Sequence, residues 1–231
     1  HLNRPINGSI KTITIKKTST NQWFVSFSCD NVPVRNFSQT DKEVGIDVGI
    51  KSFCVDSEGK VIENPKYFEK SVKILRKRQR SLSKKKKGSQ NRNGARLSVA
   101  KTHEKISNQR KDFLHKTANF YIQNYQMIYI EDLNIKNMIK NKYLSRNIAD
   151  SSWGMFSNFL SYKAEEAGRQ VIKVPSRNTS QICSGCGKHV QKSLSVREHQ
   201  CSSCGLVLDR DLNAAINIKA LGQRAQAQSI N

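Results

Sequence analysis

Acidic residues are scarce in this sequence: 18 Asp and Glu stand against 40 Lys and Arg among 231 residues, a formal net charge of +22. Such an excess opposes compaction by self-repulsion and points to a polyanionic partner. Aromatic residues are also few, at 7%, which favours contact with a phosphate backbone over extensive stacking on bases. No run of about eighteen apolar residues occurs, and the start has no signal-peptide pattern, so a soluble, intracellular protein with no membrane partner is the expectation. An initiating Met is missing too; the chain starts at His1, and a fragment or processed product is expected. The 36% of hydrophobic residues suffices for a modest core in one or two domains.

Cysteine is limited to six residues, and in an intracellular basic protein disulfides are a poor default. Cys29 and Cys54 stand alone in strand-like contexts and read as small buried hydrophobes. The other four form two C-x-x-C pairs, Cys183 with Cys186 and Cys201 with Cys204, with fourteen residues between the pairs. Each pair directs two thiolates at one centre, and a hairpin between them completes a tetrahedron around Zn²⁺. Gly187 and Gly205 follow the pairs, where the chain must turn tightly. A redox dithiol is the weaker alternative, since it needs no second copy. His189 and His199 lie inside the loop, but four thiolates already fill a site. A closed four-sulfur site is structural.

Along the chain, residues 10–29 alternate as a hairpin, with Ile13 and Ile15 on one arm and Trp23, Val25 and Phe27 on the other. A polar linker is expected from Pro33 to Asp41. Two strands follow in "VGIDVGI" and "SFCVDS", with a Glu-Gly-Lys turn at 58–60. Helical spacing begins after Pro65 with Val72, Leu75, Gln79 and Leu82. A basic loop is expected over 84–96, then a second helix from about Ala95 to Tyr125 carrying Ile106, Phe113 and Phe120. The two helices make an antiparallel hairpin. Lys84, Lys85, Lys86 and Lys87, with Arg92, Arg96 and Arg110 on the same hairpin, are candidate nucleic-acid contacts; the alternative is a solvated charged face. A strand at 127–135, a helix at 151–167 ended by Gly168, a strand "QVIKVP", and a final strand-to-helix passage at 205–221 complete the reading. The Gln/Ala-rich tail beyond Leu221 is expected to fray.

Asp47 interrupts the first of the core strands, "EVGIDVGIKSF", where a buried charge is costly unless paired. Glu131 ends a later strand, and Asp209 or Asp211 marks the passage into the last helix. A mixed α/β sheet can bring such positions together, and converging carboxylates would bind Mg²⁺ or Mn²⁺. Such a site suits phosphodiester cleavage by two metal ions. Each acid has an ordinary alternative: Asp47 on the polar face of an edge strand, Glu131 at a solvent-facing strand end, and Asp211 as a helix N-cap. Asp132 and Asp209 compete as neighbours, and spacing alone does not choose.

"GIDVGIKSF", "IYIEDLNI" and "LDRDLNAAINI", with the cysteine pairs between the second and third, resemble the TnpB (OrfB) family of transposon-encoded RNA-guided nucleases, relatives of type V CRISPR effectors. "RSLSKKKKGSQNR", "NQRKDFLHK" and "SQICSGCG" match in the same order. The resemblance implies an α/β, RNase H-like (RuvC) domain with an inserted zinc ribbon and a residual wedge β-barrel segment. It places the wedge segment at 1–40, the nuclease domain with its basic hairpin at 41–178, the ribbon at 179–206, the last strand and helix at 207–223 and a tail at 224–231. Asp47, Glu131 and Asp211 match the catalytic acids, and Asn213 supports the turn beside the last. Guide RNA from the transposon end and target DNA are the implied partners, with one copy of the chain on one guide, in the prokaryotic cytoplasm or nucleoid. Little of the family's N-terminal part fits before residue 10, so a shortened chain is expected. Two alternatives remain: an inactive nucleic-acid-binding derivative, and a guide-independent resolvase or transposase.

Overall fold

A computed structural model describes residues 5–33, 37–193 and 196–229. The elements run β1 (Ser9–Lys17), β2 (Trp23–Asp30), β3 (Glu43–Val48), β4 (Ser52–Asp56), β5 (Val61–Glu63), α1 (Tyr67–Ser83), α2 (Gln90–Asn124) and β6 (Met127–Asp132). They continue with α3 (Ile135–Met138), α4 (Ser145–Ser151), α5 (Trp153–Glu166), β7 (Gln170–Pro175), β8 (Glu198–Gln200), β9 (Val207–Asp209) and α6 (Arg210–Ser229). The chain divides into two compact units, His1–Asn36 with Tyr67–Lys111, and Phe37–Lys66 with Asp112–Asn231. The basic helical hairpin therefore groups by packing with the N-terminal strands, although chain order sets it between β5 and β6.

In the first unit β1 and β2 pair antiparallel as expected, with most side chains on both faces exposed. Cys29 is consequently half-buried rather than buried. Thr20 Oγ1 donates to Glu104 Oε1 at 2.7 Å, fixing the hairpin turn to α2. The loop between α1 and α2 is shorter than the sequence suggests, because α2 starts at Gln90 and takes Gly94 into its first turns. Gly88, at φ +83°, makes the bend, and Ser89 Oγ caps α2 by accepting from Arg92 N at 3.2 Å. That cap and the length of α2 outweigh the roughly 1 kcal/mol that one helical glycine costs.

In the second unit a five-stranded sheet has the order β5-β4-β3-β6-β7. β3, β6 and β7 run parallel; β4 is antiparallel to both its neighbours, β3 and β5. Strand alternation distributes the apolar residues between two layers. Val44, Ile46, Ile128 and Ile130 pack with Leu114, Ala118 and Tyr121 of α2 and with Phe156 and Leu160 of α5. Met127 and Tyr129 face the other way, onto Ile218 of α6. Phe53 anchors the first layer, edge-on to Phe113 at 4.9 Å and to Phe156 at 5.1 Å. Cys54 is buried there, as expected. The 33–41 linker falls partly outside the described residues, and its Phe37 packs against this core.

Helix α6 lies close on the second face because Gly45 leaves room. A Cβ there would stand 2.2 Å from the Ala215 carbonyl oxygen. Gly222 performs the same service further along, where a Cβ would meet the Tyr129 ring at 1.9 Å. The expected fraying beyond Leu221 is corrected: α6 continues to Ser229. Gln223 Nε2 donates to Glu43 Oε2 at 2.6 Å, and Tyr129 OH donates to Gln226 Oε1 at 3.2 Å. The helix expected over 151–167 is α5; a short helix that was not expected, α4, precedes it, and Ser152 in the left-handed region separates the two. Gly168, at φ +64°, ends α5 as anticipated.

Candidate active site

Strand parity determines which way the carboxylates face. Ile46 and Ile130 are register partners on the α2/α5 layer, so Asp47 and Glu131, one residue on, emerge side by side on the α6 face. Both stand at the carboxyl ends of parallel strands, where ligands of open α/β sheets gather. Asp211 sits in the first turn of α6. All three line one cleft of about 630 Å³, with Thr179, Ser180, Arg197 and Arg210 also in its wall.

The competing acids separate by role. Asp209 Oδ1 accepts from the backbone N–H of Asp211 at 2.8 Å and of Leu212 at 3.2 Å, so Asp209 caps α6 and Asp211 does not. Asp132 is exposed and does not line this cleft. Asp211 Oδ2 lies 3.6 Å from Arg197 Nη1. Glu131 Oε1 accepts from Thr179 Oγ1 at 2.5 Å. Burial raises the pKa of Asp47 well above the usual carboxylate range; the charges of Glu131 and Asp211 raise it further, and Arg210 opposes them. Burial also raises that of Glu131, partly offset by the Thr179 hydroxyl.

This donor set suits hard divalent cations: three carboxylates in one partly buried cleft, two of them disfavouring the charge of Asp47, with two guanidinium groups beside them. Their oxygens do not all close within 4.8 Å, a distance that among the described residues only the cysteines meet as a set.

The four cysteines do come together. Cys183 and Cys204 Sγ are 3.6 Å apart, as are Cys186 and Cys201 Sγ, and all four lie within 4.8 Å of one another. Tetrahedral thiolates at about 2.3 Å from zinc would be separated by about 3.8 Å. The cluster could hold a metal ion such as zinc. Gly187 and Gly205 both take φ +74°, and their N–H groups return to the Cys183 and Cys201 carbonyls at 2.8 and 2.9 Å. β8 pairs with β9 in the second arm. His199 is buried beside Lys192 and is not a member of the cluster. Asn213 links this element to α6: its Oδ1 accepts from Ser184 N at 3.0 Å and its Nδ2 donates to Ile182 O at 2.8 Å.

The basic candidates fall in the first unit. Lys84, Lys85, Lys86, Lys87 and Arg96 are exposed. Arg92 is partly committed to structure: its Nη1 donates to the carbonyls of Leu82 and Lys85 at 3.1 and 3.0 Å, closing the end of α1. Arg110 lies 6.0 Å from the Phe68 ring. Sequence reasoning missed Thr179, Arg197, Arg210 and Asn217. Only Asn217 left a trace, as a second Asn four residues after Asn213 on one helix face.

The fold and site together define a mixed α/β protein with a carboxylate cleft beside a four-cysteine element. Residues 26–142 match the family OrfB_IS605, described as "Probable transposase", and residues 153–218 match the "Cas12f1-like, TNB domain". A "Putative RNA-guided DNA endonuclease" of Streptomyces pristinaespiralis is 40% identical over 94% of this chain and 54% of its own. The "Putative RNA-guided DNA endonuclease InsQ" of Escherichia coli (strain K12) is 32% identical over 97% of this chain and 60% of its own. A solved structure titled "Cryo-EM structure of the Cas12f1-sgRNA-target DNA complex" shares the fold, with a TM-score of 0.54 over 90% of this chain and 55% of that one, at 23% identity. The chain belongs to the TnpB (OrfB) family. It spans about half the length of the curated relatives it matches.

Proposed function

We propose that the chain is the catalytic portion of a transposon-associated, RNA-guided DNA endonuclease with an RNase H-like (RuvC) nuclease domain. The observation that carries this reading is the meeting of Asp47, Glu131 and Asp211, from two parallel strands and a helix, in one cleft. Those three carboxylates would hold Mg²⁺ or Mn²⁺. When bound, two such ions activate water and stabilise the leaving oxygen of a phosphodiester. Arg197 and Arg210, in the same wall, draw the backbone phosphate towards the acids and offset their repulsion. The cysteine element is a zinc ribbon that presents target DNA to this cleft. The basic hairpin grips nucleic-acid backbone, sequence choice being left to base pairing with guide RNA. The β1–β2 hairpin, with Ile13, Ile15, Trp23 and Val25 exposed, is read as part of a wedge β-barrel.

The test is Mg²⁺-dependent cleavage of guide-matched double-stranded DNA by protein co-expressed with its flanking locus. Asp47→Ala, Glu131→Ala and Asp211→Ala should each lower cleavage at least about 100-fold, roughly 2.7 kcal/mol of barrier, with RNA still bound. Normal turnover in any of the three would refute the assignment. RNA binding without cleavage in the wild type would favour an inactive derivative, and cleavage independent of RNA would favour a resolvase.

A further inference from the structure

Thr179 belongs to no helix or strand, yet it is only 4% exposed. Its turn, between β7 and the first cysteine pair, is pinned from several sides. Asn217 Nδ2 donates to the Thr179 carbonyl at 2.8 Å and to Ile182 O at 2.7 Å. Asn213 holds Ile182 and Ser184 just beyond. Both amides are on α6 and both are buried. The outcome is that one hydroxyl is delivered 2.5 Å from Glu131 Oε1.

We propose that Thr179 is a positioning residue for the carboxylate cleft: its hydroxyl fixes Glu131 towards Asp47 and Asp211, and α6 fixes Thr179 through Asn217. A carboxylate has two oxygens with about four acceptor positions. Engaging Oε1 limits rotation about the last side-chain bond and leaves Oε2 for a cation. Partners of this kind, one bond behind a metal ligand, typically change metal affinity or activity 10–100-fold when lost. The β-branch of threonine holds its own χ1 as well, which serine does less firmly while keeping the hydroxyl. Helix α6 thus carries one site acid, Asp211, and aims a second, Glu131, through Asn217 and Thr179.

This rests on reading the cleft as a cation site, and the experiment keeps the two separable. Mn²⁺ would be titrated calorimetrically into the full chain with zinc loaded, for wild type, Glu131→Gln, Thr179→Val, Thr179→Ser and Asn217→Ala. Zinc content and thermal unfolding would be followed in parallel. The expected result is Mn²⁺ affinity about 10–100-fold weaker in Thr179→Val, mostly recovered in Thr179→Ser, with zinc content unchanged. Should Thr179→Val not fold, Asn217→Ala carries the same expected weakening. Wild-type Mn²⁺ affinity in Thr179→Val, or in Asn217→Ala if it replaces it, overturns the proposal while a weakened Glu131→Gln leaves the cation site standing. Unchanged binding in Glu131→Gln overturns the cation site itself, and the proposal with it.

Discussion

Burial and neighbouring negative charge both work against ionising Asp47, and burial does the same at Glu131. Each native carboxyl therefore holds its proton to higher pH than in the unfolded chain. The native state binds more protons than the unfolded one between the ordinary carboxylate range and the raised values, so stability falls as pH rises through that window. In metal-free protein Asp47→Asn should therefore raise the melting temperature at pH 7–8, with the gain shrinking as pH drops towards 4. Mg²⁺ should narrow the difference by stabilising only the wild type. Thermal melts of both proteins across pH, with and without Mg²⁺, check this; a gain independent of pH would mean that Asp47 carries no raised pKa. Asp47 was legible in the sequence because a charge within an apolar strand is anomalous. Spacing alone did not choose Glu131 over Asp132 or Asp211 over Asp209; the motif resemblance did, and in the fold these pairs are set apart by register with β3 and by Asp209 capping α6.

At the scale of elements, β3 and α6 meet backbone to backbone at Gly45. Gly45→Ala would place a methyl 2.2 Å from the Ala215 carbonyl and 2.7 Å from Lys219 N, both backbone atoms that no rotamer can relieve. The expected cost is about 1–3 kcal/mol, read by denaturant unfolding, and cleavage should fall because Asp211 moves with the helix. Unaltered stability would show that α6 can shift freely. The cysteine element behaves differently, since its organisation rests on four thiols meeting at one centre. Cys183→Ser with Cys186→Ser should abolish zinc binding and loosen residues 179–206, observed by metal analysis and hydrogen exchange; zinc content equal to that of the wild type would refute a four-thiolate site. Strands, the two C-x-x-C pairs and the Gly168 stop could be read from spacing and turn chemistry, which are local. The start of α2 at Gln90 and the run of α6 to Ser229 could not. One depends on a serine cap outweighing the helical Gly94, and the other on contacts with Glu43 and Tyr129, distant in sequence.

For the molecule as a whole, the dominant property is charge: +22 over 231 residues. That excess was evident from composition; that the helical hairpin groups by packing with β1 and β2 was not, because the division falls inside the single helix α2. Lys84 to Lys87 are all exposed at the turn between α1 and α2, with the neighbouring Arg92 locking that turn. Four ammonium groups on one rigid bend can neutralise successive phosphates, and each contact releases condensed counterions. Replacing all four by Gln should therefore weaken binding to guide RNA or DNA, and more so at low salt. The slope of log affinity against log salt should shrink by up to about 0.9 for each lysine that contacts duplex DNA, and about 0.7 on single strands. Fluorescence anisotropy between 50 and 200 mM salt measures it. A reduced slope on RNA alone would assign the turn to the guide, and one on DNA alone to the target. An unchanged slope on both would leave these lysines as a solvated face, and shift the grip on nucleic acid to other parts of this basic surface.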